Sequence, residues 1–336
     1  MKTFRFIGMT LMVVLMCVAC SNQDADEPSL EADAQKTYEV SLNLSGDYID
    51  VTESPLSRAD EPKKYYAIDV LCMKTDGTQS SYSAYAYGVF DNLEDMKITL
   101  LGGYKYKFVC TSATEREDKF YADDIKIRWP DGLYTYSSDM NKFTMKYNFG
   151  TNLHYGYTYY NDSYSSSSNP KMDRYYGELM DYTPKDGGTA TIPMKRCVFG
   201  VKMTVNAVPD GTLSWSNSSL RFNATSHTGT EKLEFSSVYT FYGVYNCWQK
   251  AIAGEDYTNT FTINFTWTRA NGYTQNFSKE FTVKRNVMTN INVTLTGGSE
   301  EVSVGIQEEN SEMTSESTDV NYDGGSLNGT EVDPQQ

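Results

Sequence analysis

Residues 65–111 read YYAIDVLCMKTDGTQSSYSAYAYGVFDNLEDMKITLLGGYKYKFVCT, and this stretch decides the fold class. Tyr65 to Cys72 is a run of aromatic, branched and small apolar residues interrupted by Asp69, and Thr75-Asp76-Gly77-Thr78 closes it as a turn. Ala84 to Phe90 is a second run of the same kind. Met96, Ile98 and Leu100 alternate with polar neighbours, and Gly102-Gly103 leads into Tyr104 to Cys110. Short strands at steady spacing with turn residues between them specify a β-sandwich. No stretch of the chain sustains a helical period.

Upstream, Tyr38, Val40, Leu42 and Leu44 alternate with Glu39, Ser41 and Asn43, the period-two pattern of a half-buried strand, which Ser45-Gly46-Asp47 breaks. Residues 54–62, SPLSRADEP, follow as a linker with two prolines, no apolar periodicity and one cation, Arg58. Such a segment is open to proteolysis. At the start, Lys2 and Arg5 precede the apolar run Ile7 to Val18, which ends at Cys17-Val18-Ala19-Cys20. This is the layout of a secretory signal, too short for a membrane span. Asp24, Asp26, Glu27, Glu31 and Asp33 then form an acidic tether.

Downstream, residues 131–182 are crowded with tyrosine, including Tyr134, Tyr136, Tyr147, Tyr155, Tyr157, Tyr159, Tyr160, Tyr164, Tyr175, Tyr176 and Tyr182. A flat apolar ring with a hydroxyl suits either a binding surface for sugar or protein or the packing of an irregular β region. Thr183-Pro184-Lys185-Asp186-Gly187-Gly188 opens a second set of strand patterns. Ala190 to Met194 and Val198 to Val205 read as two strands joined tightly at Lys195-Arg196. Further strands are expected at 219–224, 238–242, 261–267, 273–277, 281–283 and 287–295, with Ala270-Asn271-Gly272 as a hairpin turn. From Gly297 on, the chain holds ten acidic residues and no Lys or Arg, the composition of an acidic tail. Val302, Val304 and Ile306 alternate within it as one short strand.

The net charge is −15, and −17 once Lys2 and Arg5 leave with the signal, which argues against nucleic acid as a partner. The 27 tyrosines and 15 phenylalanines favour strands. Cys72, Cys110, Cys197 and Cys247 are widely spaced, so disulfides in an exported protein and buried free thiols are both compatible with them. Catalysis is not expected. The only histidines are His154 and His227, carboxylate pairs such as Asp123-Asp124 have no partner in view, and no nucleophile elbow, zinc helix or phosphate loop occurs. Asp319-Val320-Asn321-Tyr322-Asp323-Gly324 matches the first half of a calcium loop, but Thr330 takes the twelfth position and Glu331 comes one step late. No cofactor and no metal is expected.

Three pieces carry a family resemblance: the stretch 65–111, TATIPMKRCVFGVKMTV at 189–205, and FTVKRNVMTNINVTLTG at 281–297. In order and spacing they resemble the fimbrillins of Bacteroidales, subunits of surface pili and related adhesins, and Val18-Ala19-Cys20 resembles a lipobox. The resemblance implies an all-β chain of two tandem transthyretin-like, Greek-key β-sandwiches. It gives a lipoprotein signal over 1–20 with lipid on Cys20, an acidic tether and removable first strand over 21–58, an N-terminal sandwich over 59–182, a C-terminal sandwich over 183–297 and an acidic tail over 298–336. It further implies cleavage between Arg58 and Ala59, loss of the strand holding Tyr38, Val40, Leu42 and Leu44, and a donor strand at Val302, Val304 and Ile306. The location implied is the cell surface, as an outer-membrane lipoprotein or within a fimbrium. The partners implied are other pilus subunits, a host or bacterial surface ligand and the outer membrane through lipid. The alternatives are a non-polymerising adhesin, anchor or tip lipoprotein, and a glycan-binding surface lipoprotein using Trp215, Trp248 or Trp267 with the tyrosines.

Overall fold

The computed structural model describes residues 36–47, 64–114, 122–123, 126–127, 140–145, 153–154, 158–160, 165–167, 169, 171–220, 222–295, 302–304, 314–316 and 320–322. The first strands are β1 (Thr37–Gly46), β2 (Lys64–Lys74), β3 (Ser83–Phe90), β4 (Lys97–Leu101) and β5 (Tyr104–Thr114). Two-residue strands β6 (Ala122–Asp123) and β7 (Lys126–Ile127) pair with each other, β8 (Lys142–Met145) joins β3, and β9 (Thr158–Tyr160) pairs with β10 (Ser165–Ser167). Then come β11 (Arg174–Tyr182) and β12 (Thr189–Arg196). Eight of these form one sheet in the order β4-β1-β12-β11-β5-β2-β3-β8.

That sheet rolls over itself. The Tyr85 hydroxyl on β3 donates to the Thr99 carbonyl on β4 at 2.8 Å, and Tyr106 on β5 both donates to Leu101 O and accepts from Leu101 N. The enclosed core contains Ile68, Phe90, Leu100, Phe108 and Ile192, all buried. The other face of β2, β3 and β5, with Tyr65, Ala67, Val89 and Val109, is covered as well and is continuous with the core of the second half. Burial on both faces accounts for the continuous burial from Tyr65 to Val70, in which Asp69 is the one polar residue, where a strand with one wet face would alternate.

The second half is a two-layer sandwich. Its strands are β13 (Val198–Asn206), β14 (Thr212–Asn217), β15 (Phe222–His227), β16 (Lys232–Thr240), β17 (Thr258–Thr268), β18 (Thr274–Lys284) and β19 (Val287–Val293), with one helix, α1 (Val244–Ile252). The tail adds β20 (Val302–Val304), β21 (Thr314–Glu316) and β22 (Val320–Tyr322). One layer runs β16-β13-β19-β21 and the other β15-β14-β17-β18. Phe199, Val201 and Met203 face Trp215, Phe261, Ile263, Phe265 and Trp267 across the core. All-β architecture is thus the observed fold class.

Several details differ from the sequence reading. The strand at Ala190–Met194, expected to open the second domain, lies in the first sheet beside β1, and the crossing to the second half falls at Cys197, one residue before β13. Alternation told strand from loop there, but not which sheet supplied the partners. The pieces at 273–277 and 281–283 are one strand, β18, paired along its whole length with β17. α1 was not expected. Its buried residues, Val244, Cys247 and Trp248, mark one face, but nine residues are too few for a sustained period.

Candidate assembly site

β1 is the element on which the proposed site turns. Its side chains alternate between core and solvent: Tyr38 and Leu42 are buried, Val40 and Leu44 likewise, and Glu39 and Asn43 are exposed. It lies inside the sheet. One edge pairs antiparallel with β4, from Thr37 opposite Leu101 to Ser41 opposite Lys97, and the other pairs parallel with β12, from Ser41 opposite Thr189 to Gly46 opposite Met194. Further backbone bonds run from Gly102 N to Lys36 O at 2.8 Å, Leu42 N to Met96 O at 2.8 Å and Asp47 N to Met194 O at 3.1 Å. Tyr38, Val40, Leu42 and Leu44 therefore fill a slot flanked by Ile98 and Leu100 on β4 and by Ala190, Ile192 and Met194 on β12.

Both ends of β1 carry charge. Lys36 Nζ lies 2.8 Å from Asp186 and 4.7 Å from the Tyr38 ring centroid, an exposed contact worth little by itself. The far end is held more firmly. Gly46 takes φ +83°, and a Cβ there would come within 2.6 Å of Met194 O, so the turn out of β1 requires glycine. Asp47 then accepts from Lys195 Nζ at 2.9 Å, the Arg196 backbone N–H at 3.2 Å and Arg285 at 3.0 Å. Arg285 sits at the turn between β18 and β19, so this one carboxylate ties β1 to the second half. Burial would push the Asp47 carboxyl up, but the Lys195 hydrogen bond, the Arg196 amide and the charges of Lys195 and Arg285 outweigh it and hold the group below the usual carboxylate range.

That shift fixes a pH dependence. A carboxylate whose folded value is depressed contributes stability that is complete above its unfolded value near 4 and is lost as pH falls through the folded value. Asp47→Asn is expected to cost about 2–3 kcal/mol at neutral pH, the order for charge-assisted hydrogen bonds on a mostly buried carboxylate. It should also shrink the loss of stability on acidification. Urea titrations of both proteins at pH 7 and pH 3 check this, and an unchanged gap between the two pH values would count against the clamp.

The other expected site residues fall into two groups. Cys20, Arg58, Ala59 and Ile306 lie outside the described residues. Val302 and Val304 are in β20, which pairs antiparallel with β22, Ser303 opposite Asn321, while β21 extends the sheet beside β19. The tail therefore meets its own chain.

The tyrosine and tryptophan surface does not form where side chains are described. Tyr175 and Tyr176 are buried. Tyr176 donates to Glu178 at 2.6 Å and packs edge-on to Trp248 and Tyr245, with Lys107 on the other oxygen of Glu178. Trp215, Trp248 and Trp267 are 3%, 7% and 0% exposed, so none offers a face for a sugar. Buried indoles satisfy their N–H inside: Trp267 donates to Asp210 O at 2.7 Å and Trp248 to Pro193 O. Sequence reasoning missed Asp47, Lys195, Arg196 and Arg285. They stand up to 238 positions apart, and no local pattern joins them.

No protein-family model and no curated protein matches the chain. Among solved structures, it is similar to a fimbrial assembly protein from Parabacteroides distasonis, at 12% identity over 85% of this chain and 99% of that one, with a TM-score of 0.31. It is similar to the tip fimbrial protein Mfa3 from Porphyromonas gingivalis, at 9% identity over 86% of this chain and 100% of that one, with a TM-score of 0.33. For the fimbrial anchor protein Mfa2 of the same organism the values are 9%, 77%, 90% and 0.32. The solved structures to which this chain is similar include fimbrial proteins of the Bacteroidales.

Proposed function

We propose that the chain is a fimbrillin-type subunit of a bacterial surface pilus, structural and adhesive and without chemistry of its own, assembled by exchange of its first strand. The reading rests on β1. This strand supplies four buried side chains and is laddered on both edges, yet it precedes every other described element and is followed by the linker containing Arg58. Cleavage after Arg58 leaves β1 held by noncovalent contacts alone. Its departure opens an apolar slot between two unpaired strand edges, which an extended segment of another subunit can fill by β-augmentation. Val302, Val304 and Ile306 are the donor in this scheme, and β20 must leave β22 to serve. Cys20 carries the lipid that brings the precursor to the outer membrane and the cell surface.

The second reading, an uncut anchored adhesin or pilus base, is favoured by the Asp47 clamp, which fastens β1 to Lys195 and Arg285. The two part on one experiment. Protein released from the cell surface is sequenced from its N-terminus, and the precursor is incubated with a trypsin-like protease. A start at Ala59 with ladders of stable multimers supports strand exchange. A start at lipidated Cys20 with monomeric product overturns it in favour of the anchored form.

A further inference from the structure

We propose that Cys197 and Cys247 are joined by a disulfide when the chain folds in an oxidising compartment, fastening the crossover between the two halves to α1. The inference does not depend on whether β1 is removed. Cys197 is the one residue between β12 and β13, and Cys247 lies on the first turn of α1; both thiols are free in this structure, fully buried and in the same core. The Cys197 Sγ lies 3.4 Å from the Lys195 carbonyl oxygen and 3.6 Å from the Val244 carbonyl oxygen of that helix. A helical side chain covers the turn N-terminal to its own Cα, so the Cys247 thiol lies over Val244 too. Burial, followed by the neighbouring Cys197 thiol, pushes the Cys247 thiol well above its ordinary value. The backbone leading into the helix is held against Cys197: Phe241 N donates to Cys197 O at 3.1 Å.

The pairing of Cys72 with Cys110 fails on distance. Cys72 stands opposite Tyr106 and Cys110 opposite Ile68 on the β2–β5 ladder, so the two cysteines are four residues apart along it. At about 3.4 Å per residue that is roughly 14 Å, beyond the ~7 Å between Cα atoms that a disulfide spans. Both also belong to the core inside the rolled sheet, whereas Cys197 and Cys247 belong to the core outside it.

The chemistry is exchange with a small or protein disulfide supplied by the compartment. One thiolate attacks a sulfur of that oxidant and expels a thiol. The second thiolate then attacks the mixed disulfide and expels the other. The pair loses two protons and two electrons, one S–S bond forms, and the oxidant leaves as two thiols. Because burial disfavours the thiolate, the step belongs before the core closes, during folding after export.

The bond closes a loop holding β13 to β16 and fixes the end of β12, the wall against which β1 lies. Protein isolated from cells under acid thiol trapping is denatured, alkylated and mapped position by position. The expected map has free thiols at Cys72 and Cys110 and one linked peptide pair containing Cys197 and Cys247. Reductant should lower the melting temperature by about 5–10 °C in the native protein and have no effect in Cys247→Ala. Four alkylated thiols at these positions, a link through Cys72 or Cys110, or a melting temperature indifferent to reductant in the native protein would overturn the assignment.

Discussion

A chain beginning at Ala59 is expected to lose its stable monomeric fold. Removal of β1 uncovers the partners of Tyr38, Val40, Leu42 and Leu44, each 7% exposed or less. At about 1.5–3 kcal/mol for each large apolar side chain, their burial contributes roughly 6–12 kcal/mol, an upper estimate because the unfolded chain already hides some of this surface. That is comparable to the whole stability of an ordinary domain, about 5–15 kcal/mol. The sheet is also cut in its interior, since β4 reaches β12 only through β1. Calorimetry of the Ala59 chain should show a broadened, much lowered transition, and size-exclusion chromatography should show association beyond the monomer. A synthetic peptide of residues 36–47 should restore the sharp transition, and the same peptide with Leu42→Asp should not. A sharp, unshifted melt of a monomeric Ala59 chain would mean that the slot closes without β1 and would remove the basis for strand exchange.

The strands carrying the strongest local signal were legible. In β1, alternation named the buried set and Gly46 named its end, because one side of the strand is wet and the turn needs a positive φ. β2 was legible as a strand, but its burial on both faces was not, because that depends on which elements pack above and below it. β11 was hidden in the tyrosine-rich region: RYYGELMDY has five buried residues at one end and an exposed stretch at the other, a pattern with no period of two. β14, TLSWSN, is rich in serine and reads as loop until Leu213 and Trp215 are seen to face one core.

The candidate site was legible only along the chain. β1 and its linker could be picked out because their signals are contiguous. The groups that hold β1 could not, because Lys195, Arg196 and Arg285 converge on Asp47 through the register of β1 with β12 and the turn before β19. The same limit applied to the cysteines. Their spacing left both free thiols and disulfides open, and only the β2–β5 ladder separates Cys72 from Cys110 while the packing of α1 brings Cys247 toward Cys197.

Asp210→Ala is expected to be the most damaging single substitution in the second half. Asp210 precedes β14, and its carboxylate accepts hydrogen bonds from Arg269 Nε at 2.9 Å and the Ala270 N–H at 3.0 Å, with a second Arg269 nitrogen 2.8 Å away as an ion-pair contact. The Arg269 side chain is only 2% exposed and its guanidinium lies 4.1 Å from the Trp267 ring centroid. Gly211, at φ +69°, lets the chain pass so close that a Cβ would stand 1.9 Å from Thr268 O, so the corner cannot relax outward. Without the carboxylate, a buried cation keeps its desolvation cost and loses its counter-charge. Such a break costs about 3–5 kcal/mol, which in a chain of this size lowers the melting temperature by about 6–15 °C. The Arg269 hydrogen bond is also the largest cause holding the Asp210 carboxyl below its ordinary value, ahead of the opposing effect of burial. Its stabilisation is therefore complete above the ordinary carboxylate range and fades as pH falls through the folded value. Adding Arg269→Met to Asp210→Ala removes the stranded charge and keeps an apolar chain against Trp267, so the double variant should melt well above the single one. If the single variant melts within 2 °C of the parent, or the double falls below the single, the corner is not held by this pair and Trp267 packing must account for it alone.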